Sequence, residues 1–444
     1  MKLMNSRTWI GLLLLNSLLA IPLHAGNRYI VRVNGGLPIA RLVCLLVGCN
    51  VTGSLDGSLG QVFLVTNSSA VPVETFLNTI LRQIGVVDAE LDAVASIADA
   101  GYTIPPALFD SAPVDYFGTN VPHGYVNQPA TQIVGLSHTQ STFRVKGTGT
   151  VAVIDTGIDP NHPALRNVLV PGYDFTRNQN GESDETGDVP FSSLPLATAQ
   201  PAWTNRNSAA LVDQSTVAVV DGNPDYSDFG HGTMVAGVIH LVAPGARLMP
   251  LKAFRSDGTG YASDIVRAVY WAIQNNANII NMSFNLAAYS TEVKNAINYA
   301  TLRGTICVAA AGNQGQHVLV YPAAWPNVIG VASTTNDDQR SQFSNYGQDL
   351  VWIAAPGEGI ITTYPFGTYA AAWGTSFSAP FASGAASLML DYGGSLLMDI
   401  LIFQNQSDSA SALSHARPIN PDLGHGRLDI YQALRAWRRL VGVL

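Results

Sequence analysis

Hydrophobic and polar positions divide the chain into two stretches of strands and helices, separated by a proline-rich segment. For the N-terminal stretch, the apolar runs predict strands at 28–34, 61–67 and 86–92 and helices at 38–48 and 73–84. Phe76 and Ile80 recur at helical spacing in the second helix, which gives it a face to bury. This stretch therefore predicts a small α/β unit.

From residue 149 onward, β-branched runs alternate with helical patterns. The predicted elements are strand 149–155, helix 231–243, strand 246–252, helix 262–275, strand 278–284, helix 290–303 and strand 305–310. Such alternation predicts an α/β fold with a parallel sheet and helices on both faces. Ligands of these sheets bind beyond the carboxyl ends of the strands.

Two segments lack this periodicity. Residues 98–145 are interrupted by prolines, which indicates a linker and an irregular lead-in. Residues 176–229 are largely polar and predict a surface insertion.

Composition restricts the class of protein. The 444 residues are 47% hydrophobic and 12% charged, as in a packed globular protein, and the net charge of −8 argues against a nucleic-acid partner.

Lys2 and Arg7, the apolar residues 9–23 and the small Ala25 predict a removed secretory signal, with a membrane anchor as the alternative. We therefore expect a secreted or periplasmic protein.

The three cysteines do not form a disulfide scaffold. Cys44 and Cys49 are close enough in sequence to pair with each other. Cys307 lies inside an apolar run and is expected to be a buried small hydrophobe.

Four polar residues stand out at strand ends and helix starts. Asp155 ends an apolar strand, His231 lies between two glycines before a helix, Asn313 follows strand 305–310, and Ser376 precedes an apolar helix. Taken singly, each is more typical of a cap, a turn or a core residue than of catalysis. Together they supply a nucleophile, a base, a carboxylate and an oxyanion donor.

The segments that carry these residues are Val151-Ala-Val-Ile-Asp155-Thr-Gly157, Gly230-His231-Gly-Thr233, Ala310-Ala-Gly-Asn313 and Gly374-Thr-Ser376-Phe-Ser-Ala-Pro380. Their order and context resemble those of the subtilisin-like serine proteases, or subtilases. The resemblance implies a subtilisin-like parallel sheet and a serine endopeptidase that acts through an acyl-enzyme. Ser376 would be the nucleophile, His231 the general base and Asp155 the orienting carboxylate, while Asn313 would bind the oxyanion.

The same resemblance implies a zymogen. The opening Arg28-Tyr-Ile-Val-Arg-Val33 and the element order are similar to the inhibitory subtilase propeptide, a ferredoxin-like α+β fold. The implied domains are a signal peptide at 1–25, a propeptide at 26–100, a linker at 101–122 and a catalytic domain at 123–440. The implied partners are protein or peptide substrates and the chain's own propeptide as inhibitor, for a monomer that binds no membrane in its mature form.

The resemblance also implies a cleft to which the peptide adds as a strand. The implied substrate-binding residues are Gly260, Ser283, Phe284, Asn285, Ala311 and Gly312. These segments contain no acidic residue, so a preference for Lys or Arg before the scissile bond is not indicated.

No cofactor is expected to be required, and no Cys/His spacing indicates zinc. The acidic clusters Asp184, Glu185, Asp188 and Asp221, Asp225, Asp228 leave calcium open as a structural ion, but we expect a solvated acidic loop. Asp159, in an Asp-Pro turn, is also expected to be solvated.

Two other functions fit the sequence less well. A secreted protease-like protein that binds peptide without cutting it would usually have lost a triad residue, and all three remain here. An α/β-hydrolase requires Gly-x-Ser-x-Gly and a final histidine, whereas Ser376 lies in Thr-Ser-Phe-Ser.

Overall fold

The structure is a computed structural model. It describes residues 27–67, 71–96, 105–181, 183–189, 210–211, 226, 228–393, 413 and 416–441. The predicted signal peptide at 1–25 and much of the 176–229 insertion lie outside these ranges.

The main sheet has eight strands in the order β10-β9-β12-β8-β14-β16-β17-β18, all parallel except the β10–β9 pair. Its strands are β8 (Thr150–Asp155), β9 (Tyr173–Asp174), β10 (Gln179–Asn180), β12 (Arg247–Lys252), β14 (Ile279–Met282), β16 (Ile306–Ala310), β17 (Ile329–Thr334) and β18 (Ile353–Pro356). The large helices are α6 (His231–Val242), α7 (Ala262–Gln274), α8 (Thr291–Leu302), α9 (Thr375–Gly393) and α10 (Ile430–Val441).

Helices cover both faces of this sheet because its central strands are apolar on both sides. In β8, Val151 and Val153 join the core that contains α6 and α9, whereas Ala152 and Ile154 join the core that contains α7 and α8. A parallel strand buried on both faces reads as a continuous apolar run. The predicted α/β sheet is therefore present.

A smaller unit, residues 27–96, precedes the main sheet and is called the N-terminal unit here. Its elements are β1 (Arg28–Val33), α1 (Gly36–Val47), β2 (Cys49–Ser54), β3 (Val62–Asn67), α2 (Val73–Ile80), β4 (Val86–Leu91) and β5 (Val94–Ser96). The first four strands form an antiparallel sheet in the order β2-β3-β1-β4. The element order βαββαβ is that of ferredoxin-like folds.

Shorter elements complete the described chain. They are β6 (Pro113–Tyr116), β7 (Thr119–Pro122), α3 (His123–Val126), α4 (Pro129–Ile133), α5 (Leu136–Phe143), β11 (Ala210–Leu211), β13 (Thr259–Tyr261), β15 (Asn285–Leu286), β19 (Ile360–Tyr364) and β20 (Thr368–Ala372). None of the helices in the described ranges is long and apolar enough to span a membrane.

The cysteines follow the sequence analysis. Cys44, in the last turn of α1, forms a disulfide with Cys49, the first residue of β2. Cys307 is fully buried in β16, where burial raises the pKa of its thiol to about 12. It is therefore a core residue.

Candidate active site

Asp155 and His231 form a buried pair at the carboxyl edge of the main sheet. Asp155 is the last residue of β8, and His231 is the first residue of α6. Asp155 Oδ1 lies 2.7 Å from Nδ1 of His231 and accepts a hydrogen bond from the Thr156 N–H at 2.8 Å. Burial lowers the pKa of His231, but the charge and hydrogen bond of Asp155 outweigh burial and raise it above its usual value. The pair thus favours a protonated imidazole.

Ser376 lies in the first turn of α9, where it is 3% exposed. Its hydroxyl donates a hydrogen bond to the Ser283 carbonyl at 3.2 Å. Among the described residues, Nε2 of His231 has no hydrogen-bond partner. An acid–imidazole pair is therefore formed, while the Ser376 hydroxyl is bonded to the backbone of Ser283.

A second contact joins Ser283 and Ser376 in the opposite direction. Pro380 lies inside α9, as its sixth residue. Because proline has no N–H, it leaves the carbonyl four residues earlier, that of Ser376, without its helical donor. The Ser283 hydroxyl donates to that carbonyl at 2.8 Å and accepts from Asn281 Nδ2 at 2.9 Å.

Asn313 lies between the end of β16 and the start of α9. Its Oδ1 accepts hydrogen bonds from the Thr375 N–H at 2.9 Å and the Thr375 hydroxyl at 2.8 Å. Its Nδ2 would stand 3.2 Å from a Cβ added at Gly374, whose φ of 141° also disfavours a side chain. The anchored Oδ1 therefore directs the amide NH2 toward the backbone just before Ser376.

The predicted substrate edges already hold an extended segment of the chain itself. β5 of the N-terminal unit lies between β13 and β15 and is antiparallel to both. Ser96 is in register with Thr259 and Asn285, and Ala95 with Gly260. The strand addition expected for a peptide is thus made here by residues 94–96.

Three carboxamide side chains lie beside Gly312. Of these, Asn285 was predicted from the sequence, whereas Asn345 and Gln314 were not. A Cβ added at Gly312 would meet Asn345 Nδ2 at 2.6 Å, Asn285 Nδ2 at 2.8 Å and Gln314 Oε1 at 2.9 Å. Asn345 also donates to the Ala311 carbonyl at 3.0 Å. The three side chains beside Gly312 are thus neutral amides rather than carboxylates.

The side chain of Phe284 points away from this region. The ring is 2% exposed and packs against Phe254 with centroids 4.9 Å apart, within the core under the sheet edge. Alternation along an extended segment explains this: Ser283 and Asn285 point to the other face.

For Asp159, Glu185 and Asp188 the expectation of a solvated carboxylate was wrong, because these side chains are buried. Asp159 is 2% exposed and accepts hydrogen bonds from the N–H groups of Asn161 and Phe366, both at 2.8 Å. Glu185 is fully buried. Asp188 binds Lys252 Nζ at 2.6 Å and also pairs with Arg177. These carboxylates find donors from distant segments, which offset their desolvation.

In the described part of the chain, no group of three or more His, Cys, Asp or Glu side chains is placed so that it could hold a metal ion. Asp221 and Asp225 of the second acidic cluster lie outside the described residues. Around Asp188, the ammonium of Lys252 and the guanidinium of Arg177 supply the positive charge.

Comparison with known proteins agrees with this geometry. Residues 147–398, more than half of the chain, match the sequence profile of the Subtilase family. The chain is 30% identical over 357 residues to the thermophilic serine proteinase of Bacillus sp. (strain AK1), covering 79% of this chain and 77% of that protein. It is 29% identical over 295 residues to thermitase of Thermoactinomyces vulgaris, covering 64% and 88%.

A solved structure shows the fold. Fervidolysin from Fervidobacterium pennivorans, described as a keratinolytic enzyme related to subtilisin, matches with a TM-score of 0.68 at 21% identity, over 92% of this chain and 61% of that one. The predicted subtilisin-like α/β fold is confirmed. On its sequence motifs, its fold and these relatives, the chain belongs to the subtilase family of serine endopeptidases.

Proposed function

We propose that this chain hydrolyses peptide bonds with Ser376 as nucleophile, His231 as general base and then acid, and Asp155 as the carboxylate that orients the imidazole. The observation that carries the proposal is the 2.7 Å contact between Asp155 Oδ1 and His231 Nδ1. The His231 ring lies 5.4 Å from the ring of Phe377, the residue after Ser376 at the start of α9. With Nδ1 engaged, Nε2 is the ring nitrogen left to accept the serine proton.

Attack requires the Ser376 hydroxyl to leave the Ser283 carbonyl. Rotation about the Cα–Cβ bond of Ser376 would exchange that 3.2 Å hydrogen bond for one to His231 Nε2. The Asn313 amide NH2 and the Ser376 N–H at the start of α9 would then donate to the oxyanion that forms on the substrate carbonyl. The acyl-enzyme on Ser376 would be released by water, again with His231 as base.

The N-terminal unit is the proposed inhibitor of this site. Its β5 occupies the substrate edges, and its carboxylates reach the starts of two helices of the main domain. Glu90 accepts a hydrogen bond from the Thr291 N–H at 2.7 Å, and Asp92 accepts one from the Ser263 N–H at 2.8 Å. Arg32 binds Glu292 through two nitrogens, at 2.6 and 3.1 Å. These hydrogen bonds and this ion pair join the N-terminal unit to the main domain, as a tight inhibitory complex requires.

Self-processing would release this inhibitor. Since β5 is in register with the cleft through Ser96, we expect the processed bond within a few residues after Ser96. The mature enzyme would then be a monomer that acts on protein or peptide substrates.

Secretion is proposed on two features. Residues 1–25 have the charge and apolar pattern of a signal peptide. The Cys44–Cys49 disulfide is typical of an oxidising compartment, either the periplasm or the cell exterior. No cofactor is proposed, and calcium remains only an optional structural ion.

The test compares the full chain without residues 1–25 with its Ser376→Ala variant. We expect the wild type to lose roughly the first hundred residues and then to hydrolyse unstructured peptides. The variant should stay intact and inactive, because it lacks the nucleophile. Mass spectrometry and peptide hydrolysis give both readouts. Peptide hydrolysis by a folded Ser376→Ala variant at the wild-type rate would refute the proposal.

A further inference from the structure

Glu185 is a fully buried carboxylate that the proposed chemistry does not use. Oε2 accepts hydrogen bonds from the Thr156 hydroxyl at 2.7 Å and the Gly230 N–H at 3.0 Å. Oε1 accepts from the Thr233 N–H at 3.0 Å and from the Thr233 hydroxyl. Four donors therefore converge on one side chain.

These donors belong to the two segments that carry the acid–imidazole pair. Thr156 directly follows Asp155, while Gly230 and Thr233 flank His231 along the chain. The Thr156 hydroxyl also accepts from the Gly232 N–H at 2.9 Å. Glu185 thus joins the end of β8 to the start of α6 through hydrogen bonds.

The carboxylate also supplies the missing cap of α6. The N-cap residue, Gly230, has no side chain to accept from the first N–H groups of the helix. Glu185, 45 positions earlier, accepts from one N–H at the cap and from one in the first turn. A negative charge at this end is favourable to the helix dipole.

The geometry requires an ionised carboxylate rather than a neutral isostere. The Gly230 N–H and the Thr233 N–H are fixed backbone donors, and they bind different oxygens of Glu185. A carboxamide has one acceptor oxygen, so either orientation would point its NH2 group at one of these N–H groups. In a Gln variant, the side-chain NH2 would therefore face a backbone N–H at close range, and both groups are donors.

Other ionisable groups act on the same site. Burial raises the pKa of Glu185 to about 7, hydrogen bonds from Thr233 and Thr156 and the charge of Lys252 lower it, and the charge of Asp155 raises it. The charges of Asp155, Asp228 and Glu185 all raise the pKa of His231. The phenol of Tyr364, which faces Glu185, is itself kept neutral by burial.

We propose that Glu185 is a positioning residue of the active site: its carboxylate holds Asp155 and His231 in register, and its charge favours the protonated imidazole that forms during attack. The proposal rests on the proposed roles of Asp155, His231 and Ser376.

The test measures the pH dependence of kcat and kcat/KM for processed wild type, Glu185→Gln and the control Asp184→Asn. Asp184 is a suitable control because, among the described residues, its carboxylate bonds to Thr186 in its own turn, at 2.7 Å, and its neutralisation deletes the same charge one residue away. For Glu185→Gln we expect kcat to fall by about ten- to a hundredfold with KM nearly unchanged, since a small misplacement costs rate and not binding. The low-pH side of the pH–kcat profile, called the acid limb here, should move to lower pH, because the loss of a neighbouring negative charge lowers the pKa of His231.

Glu185→Asp separates charge from geometry and covers a Gln variant that fails to fold. It keeps the charge but is one methylene shorter, so kcat should fall while the acid limb stays as in wild type. The inference is overturned if Glu185→Gln matches wild type in kcat and acid limb, if Asp184→Asn loses as much kcat, or if Glu185→Asp leaves kcat unchanged. Failure of the proposed function would look different: a folded Ser376→Ala variant would then be as active as wild type.

Discussion

The contact between Arg32 and Glu292 gives a quantitative prediction about the inhibitory complex. Arg32 lies in β1 of the N-terminal unit, and Glu292 lies in the first turn of α8. The two side chains are 19% and 1% exposed, and two N–H groups of the guanidinium bind the carboxylate. Arg32→Leu would leave Glu292 buried in the complex with one long contact from Asn295, at 3.3 Å.

The expected cost follows from desolvation. Removal of one partner of a buried ion pair typically costs 3–5 kcal/mol because the remaining charge is left uncompensated. Since water still reaches part of Arg32, we take the lower end, about 3 kcal/mol. The dissociation constant of the N-terminal unit from the processed enzyme should therefore rise about a hundredfold.

The assay dilutes the self-processed complex and follows peptide hydrolysis as a function of concentration, which gives the dissociation constant. Arg41→Leu, an exposed arginine in α1, is the matched control and should stay within about threefold of wild type. Adding Glu292→Leu to Arg32→Leu should recover most of the loss, because the unpaired charge is removed. The reasoning is refuted if Arg32→Leu weakens binding no more than Arg41→Leu, or if the double variant binds less tightly than Arg32→Leu alone.

Three further predictions follow from single residues. Asn313→Ala should lower kcat by about a hundred- to a thousandfold with little change in KM, as measured by steady-state kinetics; an unchanged kcat would contradict its oxyanion role. Burial lowers the pKa of His240 to about 4 from 6.5, so the stability that this neutral side chain contributes is lost as the pH falls from about 6.5 to 4. In a Ser376→Ala background, the fall in Tm between pH 8 and pH 5 should therefore be smaller for His240→Leu, and an equal fall would contradict it. Burial raises the pKa of Glu90 to about 7 in the complex, although the hydrogen bonds at the start of α8 lower it and the charge of Glu292 raises it further. Formation of the complex therefore takes up a proton, and the affinity of the N-terminal unit for the enzyme falls as the pH rises from about 4.5 to 7. Glu90→Gln should flatten that dependence; an unaltered pH profile would show that Glu90 does not cause it.

Local patterns were enough to predict the frame of the site. The apolar run ending at Asp155 predicted a strand end, and the helical pattern after His231 predicted α6, so the sheet-edge rule brought the two together. The strands β17 to β20 were missed. Several of them are rich in small residues, such as Ala354–Ala355 and Ala370–Ala372, whose burial comes from tertiary packing rather than from a local pattern.

Long-range contacts decided what sequence could not predict. Glu185 looked like a solvated loop residue because its donors lie up to 48 positions away in sequence. The orientation of the Ser376 hydroxyl toward Ser283 depends on a contact across 93 positions. Neither burial nor hydroxyl orientation has a signal in the local pattern, whereas residue type and element boundaries do.

The central claim is that Ser376 is the nucleophile activated by His231. Its most direct test is peptide mapping by mass spectrometry after reaction of the processed enzyme with a serine-reactive fluorophosphonate, beside a folded Ser376→Ala variant. The account predicts one label per molecule, on the peptide that contains Ser376, and none in the variant. A label on another serine, or equal labelling of both proteins, would contradict it.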